Sequence, residues 1–273
     1  MLTPLDEYVQ SLPRQVRQPE VYVDDATITI IGRVGTVAKI AADAAIGLAR
    51  AFEVGACLPV SKSKGQVTAS SMGLARNIAG RLRSVGCTAM KAMLVLGIET
   101  AAGRGGLHGI QHTRLSAMAK RARRLQKLQN LGANISNVTR AEVVPGVAYG
   151  TRVVGMAPSI VDRLKKVLAI ALPHRAKTDS LSLKFLTSRN FKLAPSFGAC
   201  DGPLYFWCRL AFGTEEGDGV HDDMQTAWRK QILRLGTSKR PWQQVAGPAG
   251  ASYLVLKRLG WHASSAFLWR THT

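Results

Sequence analysis

Between Val21 and Ile31 two β-prone runs, residues 20 to 23 and 26 to 31, are separated by the adjacent carboxylates Asp24 and Asp25. β-Branched and aromatic side chains favour extended backbone, and an Asp-Asp step between two such runs suits a tight turn. The expectation is a hairpin with two acids at its tip. Adjacent carboxylates repel each other and lose hydration when held on a rigid frame. A fold that keeps them together therefore solvates them fully or offsets the repulsion with a divalent cation. A polar turn and a metal-facing acid pair both meet that requirement.

The chain downstream of Ile31 reads as support for the hairpin. Val34, Val37, Ile40, Ala41, Ala44, Ala45, Leu48, Ala49 and Phe52 recur at helical spacing, which predicts an amphipathic helix packed on the hairpin. Gly55, Pro59 and Gly65 then punctuate the chain, predicting short strands at 57 to 60 and near 66 to 69, with Ser61 and Lys64 in the turn between. Residues 72 to 84 give a second helix with Leu74, Ile78 and Leu82 on one face. Ala92 to Ile98 is an apolar run too short for a typical helix. Before the hairpin, the segment around Asp6 to Val9 suits one short helix.

Tyr22-Val23-Asp24-Asp25, flanked by hydrophobic residues, resembles the Tyr-x-Asp-Asp motif of reverse transcriptases. Leu58-Pro59-Val60-Ser61-Lys62-Ser63-Lys64 and Leu94-Val95-Leu96-Gly97-Ile98-Glu99 succeed it in that family's order. The resemblance spans residues 20 to about 100, and more loosely the region to about 175, in the manner of non-LTR retrotransposon enzymes. It implies an α+β fold: a partial polymerase palm of antiparallel hairpins with two packed helices, then a mainly helical thumb-like and C-terminal region. It also implies a fragment of an RNA-directed DNA polymerase that joins deoxynucleoside triphosphates to a primer by two-metal nucleotidyl transfer. On the matching positions, Asp24 and Asp25 would hold Mg2+, Tyr22 would lie by the primer end, and Lys64 would neutralise or protonate the departing pyrophosphate. Leu96 and Gly97 would lie in the hairpin that holds the primer. The family also needs a metal-binding Asp on a preceding strand and a fingers region, and the residues before Tyr22 leave no room for either. The expectation is an incomplete reading frame, inactive alone, whose two remaining carboxylates bind Mg2+ weakly or not at all.

Charge divides the chain. Of 37 basic and 17 acidic residues, giving a formal net charge of +20, residues 1 to 60 carry 5 basic and 7 acidic side chains. The acid pair thus lies in the one segment that is not basic. From Arg104 to Asn130 there are seven basic residues and no acid. At about 100° per residue, Leu115, Met118, Ala122, Leu125 and Leu128 form one stripe while Lys120, Arg123, Arg124 and Lys127 face away. A solvated helix face usually alternates sign, and this one does not. Arg114, Lys120, Arg123, Arg124 and Lys127 are the expected contacts to a nucleic-acid backbone.

Three domains are expected: residues 1–106 as the partial palm, 107–175 as a basic helical region and 176–273 as a helical C-terminal region. Residues 138 to 150 and 158 to 172 read as helical, and Trp207, Trp228, Trp242, Trp261 and Trp269 as core anchors or base-stacking rings. Four scattered cysteines suit a reducing, intracellular compartment, and no run approaches a membrane span. Two rivals remain. One is a non-catalytic nucleic-acid-binding remnant. The other is a dinucleotide-binding oxidoreductase, suggested by Gly32-x-x-Gly35 between a strand and a helix, although the first glycine of that fingerprint is missing.

Overall fold

The computed structural model describes every residue except 1–3, 15, 23–24, 96–97, 101–108, 136–137, 172–180, 182–184, 186–193, 214–218 and 272–273. The chain mixes helices with small two-stranded sheets and divides into two compact units, Met1–Gly105 and Gly106–Thr273.

In the first unit a short helix α1 (Pro4–Ser11) precedes strands β1 (Val16–Tyr22) and β2 (Asp25–Ile30), which pair antiparallel. Tyr22 lies opposite Asp25 and Val21 opposite Ala26. β1 starts earlier than its β-prone residues suggest and runs through Pro19, which has no N–H to give a ladder. The register slips between Arg17 and Glu20, around that proline. Helix α2 (Val34–Arg50), prolonged by a π-turn Ala51–Gly55, buries Val37, Ala38, Ala42, Ala44 and Leu48. The Tyr8 hydroxyl donates to the Ala44 carbonyl at 2.7 Å. A methyl group at Gly47 would collide with the Tyr8 ring, so α1 docks where α2 has no side chain. Helix α3 (Met72–Arg81) opens on Ser71, whose Oγ accepts from the Leu74 N–H at 3.2 Å. Ala38, Ala42, Ile78 and Leu82 form the core between α2 and α3.

Two expectations are corrected here. Residues 57–60 form no strand, because Cys57 takes a left-handed φ of 55° and Pro59 lacks the N–H that pairing needs. The strand expected near 66 to 69 is short, β3 (Gln66–Val67), and pairs parallel with β4 (Thr88–Ala89), with α3 as the crossover. Strands β5 (Met93–Val95) and β6 (Ile98–Thr100) pair antiparallel, where the apolar run Ala92 to Ile98 was too short for a helix and the resemblance implied a hairpin.

The second unit is built around helix α4 (Gly109–Asn130) packed on α7 (Pro158–Ala171). Between them come a π-turn (Thr139–Val143) and the short helices α5 (Val144–Ala148) and α6 (Thr151–Val154). The helical reading of 138 to 150 therefore breaks into pieces. Gly150, with φ 79°, turns the chain between α5 and α6. Leu115, Met118, Ala122 and Leu125 are buried with Ile160, Leu164 and Leu168. Leu128, expected in the same stripe, is 49% exposed, at the helix end just before the chain turns at Gly132. Gly146 lies close against Met118, where a Cβ would sit 2.9 Å from the sulfur, and so brings α5 onto α4.

Helices α8 (Pro195–Phe212), α9 (Gly219–Gly236) and α10 (Gly247–Arg258) and the antiparallel hairpin β7 (Trp261–Ala263) and β8 (Trp269–Thr271) complete the unit. Trp207 and Trp228 are core anchors, with ring centroids 5.3 Å apart, and Trp269 stacks on Trp228 at 6.4 Å. The Trp207 indole donates to the Ala266 carbonyl at 2.8 Å. Trp261 is exposed. Among the described residues no helix is long and apolar enough to cross a membrane.

Candidate nucleic-acid interface

Helix α4 earns its two faces from its sequence. One side supplies Leu, Met and Ala to a shared core, and the other keeps long cationic side chains in water. Lys120, Arg123, Arg124 and Lys127 are exposed and fall within an arc of about 100°, over a rise of roughly 10 Å. None of these four makes an ion pair or hydrogen bond with the described residues. An open depression of about 550 Å³ runs along this side of the helix, lined among others by His112, Ser116, Lys120, Arg121 and Arg124.

The flanks are tied down. On one side the Arg121 guanidinium lies 3.4 Å from the Glu142 carboxylate, with both side chains half exposed, so the pair contributes little. On the other, Arg163 of α7 donates to Nδ1 of His112 at 2.8 Å; a guanidinium has only donors, so that ring nitrogen accepts. Arg114 sits apart from the four. It donates to the Tyr149 carbonyl at 2.9 Å and lies over the Tyr149 ring. Charge therefore concentrates on this unit, which holds 25 of the 37 basic residues against 9 acidic ones.

In the first unit Asp25 is an exposed carboxylate at the start of β2. Asp24 lies outside the described residues, as do Leu96 and Gly97, and Tyr22 is described only through its strand position. Lys64 is exposed in the turn after Ser61. Among the described residues no three His, Cys, Asp or Glu side chains come together. Asp25 by itself, as one water-exposed carboxylate, is a poor donor set for Mg2+, which requires near-octahedral oxygen ligation. The Gly32 and Gly35 positions are not crowded: a Cβ at Gly35 would meet nothing within 4 Å, and one at Gly32 only Val37 at ordinary contact distance. A dinucleotide turn uses its glycines for close approach and opens on a parallel strand, whereas β2 pairs antiparallel with β1.

Sequence reasoning found the four cations from their period and missed the neighbouring Tyr149, Arg152 and Tyr205. Their arrangement depends on the corner at Gly150, whose only trace in the sequence is a glycine following a tyrosine. No family model matches this chain, and no curated protein or solved structure matches it either.

Proposed function

We propose that this chain binds nucleic acid by gripping the phosphate backbone with the cationic face of α4. The observation that carries this is the set Lys120, Arg123, Arg124 and Lys127: exposed, close together on a helix braced by a buried core, and without an acidic partner among the described residues. Four such cations displace condensed counterions from about four phosphates, so log affinity for duplex should fall against log salt with a slope of about −3.6. Changing the four residues together to Gln retains helix propensity and removes the charge. The slope should then become markedly shallower, while Asp24→Asn with Asp25→Asn leaves it as it was. An unchanged affinity and slope in the fourfold variant makes this face merely solvated and ends the proposal.

The first unit fits a second, narrower reading as the distal part of a reverse-transcriptase-like palm. What supports it is the antiparallel hairpin that carries Tyr22 opposite Asp25, succeeded by a packed helix and by the β5–β6 hairpin in that family's order. On this reading the chain alone does not extend a primer. Template-dependent incorporation with Mg2+ or Mn2+ should match that of an Asp24→Ala, Asp25→Ala control, and incorporation above the control would show a complete catalytic site.

A further inference from the structure

Beside the α4 face, the corner Tyr149-Gly150-Thr151-Arg152 presents a different surface. Gly150 adopts a φ of 79°, and Thr151 beneath it is buried, its hydroxyl donating to the Ala148 carbonyl at 2.6 Å. The corner is thus fixed, and the residues on either side of it stand out. Arg114 lies over the Tyr149 ring with Cζ 5.0 Å from the centroid, and Arg152 lies over the Tyr205 ring of α8 at 5.6 Å. Each tyrosine remains 52% exposed. Gly202, about one turn before Tyr205, lies against the Arg152 stem, where a Cβ would stand at ordinary contact distance, 3.4 Å, from Arg152 Cγ.

Both rings stay half in water with a guanidinium held above each. Their surface suits a ligand that offers a planar π-face and a negative charge together. Duplex nucleic acid hides its base faces in the stack and shows phosphates and base edges. An unpaired strand shows both, and base–aromatic stacking tolerates any sequence. We infer that this corner is a stacking platform for unpaired bases, adding base contacts to the α4 surface's hold on the backbone of a single strand. The inference rests on the reading of α4 as a backbone-binding face.

The test uses the whole wild-type chain and two single strands of equal length and charge, oligothymidylate and an abasic sugar-phosphate strand. Fluorescence anisotropy should give parallel salt slopes for the two, with the abasic strand binding about tenfold more weakly or worse. Equal affinities overturn the inference while leaving the backbone reading intact. Absence of salt-dependent binding to either strand instead removes the backbone reading, and the inference with it. Tyr149→Leu with Tyr205→Leu should lower oligothymidylate affinity to the abasic level, whereas the corresponding Phe substitutions should restore it. A Leu variant with a lower unfolding midpoint but undiminished preference for oligothymidylate makes the arginine–tyrosine pairs structural only and overturns the inference.

Discussion

The two units hold their elements in place by different means. The first relies on a small buried cluster, Ala38, Ala42, Ile78 and Leu82, and on strands as short as two residues. The second packs α4 on α7 through Leu115, Ile160, Leu164 and Leu168 and adds a cluster of stacked tryptophans. Short two-stranded sheets contribute little stability by themselves. The first unit is therefore a light frame around an acidic hairpin, the second a dense frame beneath a cationic helix. A helix face that must keep several like charges together needs the dense kind, because its core holds the helix against their repulsion.

The largest expected effect is at the aromatic cluster. Trp228→Ala should cost about 3–5 kcal/mol, the range for emptying a buried indole site. Hydrogen exchange should speed up across residues 199–269 and stay as it was across residues 34–89. Equal acceleration in both would show one cooperative structure instead of two frames.

Next comes Gly47→Ala. In a helix interior this change normally stabilises by roughly 0.5–1 kcal/mol. Here the added methyl meets the Tyr8 ring, so the sign should reverse to a loss of about 1 kcal/mol, read from the urea midpoint. With Tyr8→Ala already present, the usual gain should return. Ser71→Ala should remove the cap of α3 and cost about 1 kcal/mol. A smaller cost would mean that the first frame tolerates a frayed α3.

The smallest effect is a rate. Burial pushes the Cys87 and Cys208 thiols up from their ordinary value, which lowers their thiolate fraction at mildly alkaline pH, whereas Cys57 is exposed. Alkylation and mass spectrometry should find Cys57 modified first. If Cys208 reacts as fast as Cys57, the dense frame opens more readily than its packing implies.

Periodicity made α2, α3, α4 and α7 legible, because each packs along one side and its apolar spacing records that side. The antiparallel hairpin at β1–β2 was legible for a similar reason, being a pairing between neighbours in sequence, whereas a hairpin at β5–β6 was implied only by the resemblance. The parallel pairing of Gln66 and Val67 with Thr88 and Ala89 was not, since a two-residue strand has no pattern and its partner lies beyond a helix. Leu128 shows a second limit: the apolar stripe of α4 runs on to the helix end, but the buried face stops short of it. As for the site, the four cations on α4 declared themselves by spacing and by the want of acids. The Arg114–Tyr149 and Arg152–Tyr205 pairs did not, because a corner at a left-handed glycine and the packing of separate helices bring them together.

The turn after α6 sets a timetable. The Gly155 carbonyl accepts from the Gln111 side chain at 2.8 Å, Trp242 packs against Gly155, and the Met156 carbonyl accepts from Arg258 at 2.8 Å. Met156 and Arg258 are 102 residues apart, a stretch that takes roughly 5 to 20 s to synthesise at about 5–20 residues per second. The growing chain thus displays the charge of α4 early and receives its last brace late. A nascent chain arrested before Arg258 should expose its cations on a helix that still exchanges its amide hydrogens quickly, and release of the finished chain should slow that exchange.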